Sequence, residues 1–126
     1  MAQLIRVIWR LDYNVSYAYL DSPGTVLRIL AETVPGFVPN LSEGIGNHSF
    51  VAERKGNGEY TTISTEPASL IGSMEWAEGV ELSRVLAHDN FRNCEKIAKA
   101  LLHHFQVKLV NRAGIRFFSS NDSRAF

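Results

Sequence analysis

Residues 4–13, LIRVIWRLDY, constrain the fold more than any other stretch of the chain. Ile5, Val7, Trp9, Leu11 and Tyr13 share one parity, and Arg6, Ile8, Arg10 and Asp12 share the other. Successive side chains of an extended strand point to opposite faces, so this segment predicts a strand with one apolar and one wetter face. A one-residue slip in its pairing would turn both guanidiniums into the core, so the register is strongly specified. Residues 107–118 repeat the pattern, with Val107, Leu109, Ala113, Ile115 and Phe117 on one parity and Lys108, Arg112 and Arg116 on the other. The odd-numbered faces carry the apolar residues and are expected to meet the helices.

The segments between them supply those helices. Asp21-Ser22-Pro23 reads as a helix start, because Asp or Ser can accept an orphan first-turn N–H and Pro23 has none to leave unpaired. Val26, Leu27, Ile29, Leu30 and Val34 form its apolar stripe, and Pro35-Gly36 ends it. Val15, Tyr17 and Tyr19 read as a continuation of the first strand beyond a bend near Asn14, and residues 38–47 as a loop. Residues 48–54 and 59–65 predict two strands around Lys55-Gly56-Asn57-Gly58, since Asn-Gly tolerates the positive φ of a type I′ hairpin turn. Residues 68–76 predict another strand, with Ala68, Leu70, Gly72, Met74 and Trp76 on one face. Beyond a turn at Ala77-Glu78-Gly79, residues 80–87 fit either a strand or a helix start. From Asp89, Phe91, Cys94, Ile97, Ala98, Leu101, Leu102 and Phe105 step by three and four, which predicts a helix over 90–105. Residues 119–126 read as a flexible polar tail. The expected fold is α+β: one domain over residues 1–126, with a mostly antiparallel four- to six-stranded sheet and two helices packed on one face.

Composition narrows the function classes. The chain has 126 residues, the usual size of one domain, and 45% hydrophobic residues, which excludes a disordered tail. Lys plus Arg and Asp plus Glu are each 13, so no whole-surface basic field exists to gather nucleic acid or anionic lipid. The single Cys94 permits no internal disulfide, which suits a reducing compartment. The charged alternation of the first strand lacks the apolar stretch of a signal peptide, and no run reaches the ~18 apolar residues of a membrane span. A cytoplasmic protein with no membrane partner is expected. An open sheet leaves edges that proteins often protect by pairing, so a homodimer is expected as well.

The sharpest candidate site is the distribution of cations. If the first and last strands are neighbours, Arg6, Arg10, Lys108, Arg112 and Arg116 line the face opposite the helices, the last three over ~27 Å. Such a strip could hold an acidic protein partner, an anionic ligand or a nucleic-acid backbone. The competing reading is a solvated face in which Asp12, Glu53, Glu59 and Glu75 neutralise the cations. No aromatic stacking platform accompanies the strip, which weakens single-strand recognition. Trp9, Trp76, Phe50, Phe91, Phe105 and Phe117 fall at core positions.

Other chemistries find little support. His48, His88, His103, His104 and Cys94 miss zinc-ligand spacing: His103 and His104 diverge by ~100° on a helix, and His104 lies nearly three turns from Cys94. No metal and no cofactor is expected. Cys94 lies on an apolar stripe, where a thiol behaves as a small hydrophobe. Gly44-Ile45-Gly46-Asn47 lacks the Lys-Ser/Thr ending of a phosphate loop. Glu53, Glu59 and Glu75 are scattered over strands, so no catalytic residue is assigned.

From His48 to Phe118 the layout resembles a family of uncharacterised, sporadically distributed prokaryotic proteins. In that family a hairpin with a Gly-containing turn leads to a further strand, a helix opened by an aromatic, and a closing strand of the form Arg-x-Gly-Leu-Arg-Tyr-x-Asn. The matching residues here are Asn90-Phe91 and Arg112-Ala113-Gly114-Ile115-Arg116-Phe117, with Phe118 following where the family has other residues. Members are longer, so the resemblance concerns their N-terminal domain; it implies the topology and no activity. The reading that follows is a non-enzymatic binding or interaction module acting through the exposed sheet face or an edge strand. The alternative is a small-ligand pocket between sheet and helices with hydrolytic activity.

Overall fold

Strand β1, Gln3–Tyr13, lies inside a six-stranded sheet of order β2-β3-β4-β5-β1-β6 in which every neighbouring pair is antiparallel. The other strands are β2 (Val38–Asn40), β3 (Phe50–Gly56), β4 (Glu59–Glu66), β5 (Ser69–Glu81) and β6 (Val110–Ser119). Helices α1 (Tyr17–Asp21), α2 (Pro23–Glu32) and α3 (Asp89–His104) complete the fold, with a 3-10 turn at Leu82–Arg84. This computed structural model describes residues 3–40 and 49–119. The glycine-rich 44–47 stretch, His48 and the tail beyond Ser119 lie outside the described residues.

Both long helices pack on one face, as the apolar parities require. Val7, Met74 and Thr61 stand in one cross-strand row, and Leu11, Leu70, Thr65 and Phe50 in another. Val26 and Leu30 of α2, with Cys94, Ile97 and Leu101 of α3, close over them, and all nine of Val7, Val26, Leu30, Ala52, Ile63, Leu70, Met74, Ile97 and Leu101 are fully buried. Burying such side chains contributes roughly 1.5–3 kcal/mol each relative to exposure, which makes this layer the main source of stability.

Several local expectations are corrected. Val15, Tyr17 and Tyr19 do not extend β1. Ser16 caps α1 instead: its Oγ accepts from the Tyr19 N–H at 3.1 Å and donates to the Phe105 carbonyl at 2.9 Å. Burial then falls on Ser16 and Tyr19, three apart, while Tyr17 is 75% exposed. Of the segment 38–47 expected as a loop, Val38–Asn40 form the short strand β2, and residues 41–47 lie outside the described residues. The turn expected at residues 77–79 is absent; Gly79 takes φ 80° and β5 runs on to Glu81 with a register shift against β1. The hairpin turn does form, with Asn57 at φ 52° and Gly58 at φ 75°. Phe117 is not core: it is 41% exposed, as Ile115 is at 47%. The reason is width. Two adjacent helices at ~10 Å between axes cover about four strands spaced ~4.8 Å apart. The covered strands are β3, β4, β5 and β1, and β6 projects beyond the helices.

Two strand glycines make opposite demands. Gly72 is buried directly opposite Trp9, and a Cβ there would collide with the indole ring. Gly114 has nothing within 4 Å of the position a Cβ would take. Gly72→Ala is expected to destabilise by about 1–3 kcal/mol through overpacking, and Gly114→Ala to stabilise by up to about 1 kcal/mol by restricting the unfolded chain. Urea unfolding of both variants checks this; equal shifts would refute the proposed Trp9 seat.

Candidate interaction site

The register of β1 against β6 sets the surface. Arg6 stands opposite Phe118, Ile8 opposite Arg116, Arg10 opposite Gly114 and Asp12 opposite Arg112. Directly opposed residues share a face, and these are the parity opposite buried Val7 and Tyr13. Arg6, Arg10, Arg112 and Arg116 therefore stand together on the face away from the helices. Lys108 does not join them: it precedes β6, in the segment leaving α3. Gln106, at φ 59°, closes the helix with its N–H on the His103 carbonyl and the Val107 N–H on the Leu102 carbonyl. That cap delays the strand to Val110. The register shifts fall between Leu4 and Arg6 and between Asp12 and Tyr13, not at Gly114, so Arg116 keeps its parity.

The four guanidiniums are not alike. Arg6 is 3.8 Å from the Glu75 carboxylate and lies over the Phe118 ring at 5.7 Å. Arg10 donates from Nε to Asp12 at 2.8 Å. Arg112 and Arg116 have no carboxylate within ion-pairing distance among the described residues. Of the carboxylates expected to neutralise the strip, Glu53 instead accepts from the Tyr60 hydroxyl at 2.7 Å and Glu59 faces His88. Because Gly114 carries no side chain, an open hollow of about 560 Å³ lies between Arg112 and Arg116, with Ile8, Arg10 and Asp12 on its other side.

The strand itself is as unusual as its charges. Residues 111–117 are exposed on both faces, and among the described residues β1 is the strand's single neighbour. Among the described residues the opposite edge, β2, is three residues long, and it contains Pro39, which has no N–H to offer.

A second polar cluster, at the start of α3, was not legible in the sequence. His88 caps the helix: Nδ1 accepts from the Asn90 N–H at 3.1 Å, and Nε2 lies 3.3 Å from the Glu59 carboxylate. Its ring meets Trp76 edge-on at 5.3 Å between centroids. Asn90, 2% exposed, accepts from the Thr61 hydroxyl at 2.7 Å, while its Nδ2 has no partner among the described residues. Arg54, Asn57, Asp89 and Asn93 rim a hollow of about 510 Å³ beside them. The His–Glu pair has the composition of an acid–base dyad, but both ring nitrogens are engaged, so neither is free to move a substrate proton. The one advance signal is Asp89-Asn90 ahead of a helical stripe, two residues suited to capping, whereas the residue that caps is His88.

The remaining candidates are structural. Cys94 is buried, and burial pushes its thiol up to about 12, with the Trp9 indole acting weakly in the other direction. Among the described residues no three His, Cys, Asp or Glu side chains converge as metal ligands, and no helix is long and apolar enough to cross a membrane. Comparison with protein families, curated proteins and solved structures gives no match for the chain.

Burial also holds the Tyr13 and Tyr19 hydroxyls protonated, and a hydrogen bond to Glu53 does the same for Tyr60. All four groups are shifted upward, so above pH ~9 the unfolded chain loses protons that the folded chain keeps. Folding stability contributed by these groups is full below that range and declines as pH rises. The urea midpoint is expected to fall steadily from about pH 9 to 11, with Cys94 inert to a thiol reagent until the protein unfolds. A flat midpoint, or rapid labelling of the native protein, would contradict the assignment.

Proposed function

We propose that the protein is a non-enzymatic interaction module that binds a protein partner, or a second copy of itself, along β6 and the outer face beside it. The carrying observation is a ten-residue edge strand whose residues 111–117 are exposed on both sides. An edge strand offers a row of N–H and C=O groups that a further strand can satisfy, while alternate side chains supply specificity. Long flat edges invite unwanted pairing and are ordinarily shortened, covered or charged. Here β2 is short and interrupted by proline, whereas β6 is long and carries Ile115 and Phe117 on one side and Arg112 and Arg116 on the other. The apolar pair provides contact area and the arginines provide selection.

The alternative, a small-ligand pocket protein, draws on the hollow at the start of α3, where the Asn90 Nδ2, without a partner among the described residues, could anchor a polar ligand. It lies at the end of the sheet, away from the closed layer between sheet and helices.

Replacing Arg112 and Arg116 together by Gln is expected to weaken capture of the partner about tenfold and to leave the melting temperature within about 4 °C, since exposed ion pairs contribute little. Amide exchange on the captured complex is expected to show new protection over 110–119. Protection confined to the α3 hollow, with none gained over 110–119, would reject the edge-strand reading in favour of the alternative, and identical capture by both proteins would reject the role given to Arg112 and Arg116.

A further inference from the structure

Resting on the edge-strand reading, we infer that the strand received by β6 alternates carboxylates with apolar residues. A strand added beside β6 places every second side chain against Arg112, Gly114 and Arg116, and the others against Ala113, Ile115 and Phe117. The first row is cationic and the second is exposed apolar surface. Arg6 and Arg10 already hold Glu75 and Asp12, so the charge left unanswered on this face is that of Arg112 and Arg116. Their side chains flank the space over Gly114, where no side chain obstructs an incoming carboxylate.

A second copy of the chain answers this surface less well. A two-fold axis normal to the sheet keeps both helical layers on one side and pairs residues of like parity. Centred on Gly114, it sets Arg112 against Arg116 twice; centred on Arg116, it sets that residue against itself. Centring on Ile115 avoids direct opposition, with Arg116 against Gly114 and Arg112 against Phe118. Even so, it gathers the unpaired guanidiniums of both copies on one face without adding a carboxylate. Like charges at cross-strand neighbours are destabilising, and opposite charges stabilising.

The test uses the full chain and synthetic peptides of about eight residues. One peptide alternates glutamate with valine; a second has lysine in place of glutamate; a third has the composition of the first with its glutamates grouped at one end. Fluorescence anisotropy is expected to show binding of the alternating acidic peptide alone, with new amide protection over 110–119. Arg112→Gln with Arg116→Gln is expected to weaken that binding about tenfold, the effect of losing two cross-strand charge pairs, and circular dichroism verifies that the variant is folded. Equal binding of the lysine or grouped peptide, or binding indifferent to the double substitution, would overturn the acidic specificity while leaving edge pairing intact. Sedimentation of the free chain at twice its mass, with β6 amides already protected, would overturn it in favour of a second copy. Failure of any strand to protect β6 would overturn the edge reading itself.

Discussion

The placement of β1 between β5 and β6 is the constraint on which the rest of the structure depends. The first strand of the chain is hydrogen-bonded on one side to Ser69–Glu81 and on the other to Val110–Ser119, so both ends of the connection that contains α3 are anchored to it. Its parity decides everything downstream. With Val7 against Met74, Leu11 against Leu70 and Trp9 seated on Gly72, the odd face meets the helices and the arginines cannot do so. These contacts join residues 59 to 67 positions apart, so loop-closure entropy must be overcome before they form. The β3–β4–β5 meander is local, and its Asn57-Gly58 turn gives it a register of its own; it is the natural platform for β1 to join.

The same geometry explains why one edge is armed and the other blunt. Two helices cannot roof six strands. On the β2 side the shortfall is met by shortening the strand to Val38–Asn40, where Pro39 removes a donor. On the β6 side the strand keeps its full length, and Ile115 and Phe117 remain on the roofed side of the sheet without a roof. Exposure of Phe117 and isolation of Arg112 and Arg116 thus share one cause: among the described residues β6 has a single neighbour, and the carboxylates of that neighbourhood are committed to β1.

How far the sequence could be read follows from the range of the forces involved. Alternation in β1 and the three-four spacing of Cys94, Ile97, Ala98 and Leu101 are local patterns that tertiary contacts reinforce, so the class, the antiparallel sheet and the one-sided helices were legible. Ser16 was not, because its capping role depends on a hydrogen bond to Phe105, 89 residues away. Gly79 reads as a turn in the sequence because positive φ serves a turn and an irregular strand equally well. At the site, the parity of Arg6, Arg10, Arg112 and Arg116 could be derived from neighbouring residues. That Lys108 falls outside the strand depends on the Gln106 cap, and the Thr61–Asn90 bond joins segments that nothing local connects.

An edge strand with one neighbour also has a thermodynamic consequence. β6 contributes little to the buried layer, so it can part from β1 without opening the core beneath α2 and α3. In the free protein β6 therefore belongs to the low-stability end of the fold. A strand added along its open side would satisfy the outward backbone groups and cover Ile115 and Phe117 in one event, converting β6 from an edge to an interior strand. Binding would then tighten the β1–β6 register as it forms, and whatever holds β1 against β5, Trp9 on Gly72 above all, would govern how well β6 is presented to its partner. Affinity at this edge is thus coupled to packing on the far side of β1, through the strand that both share.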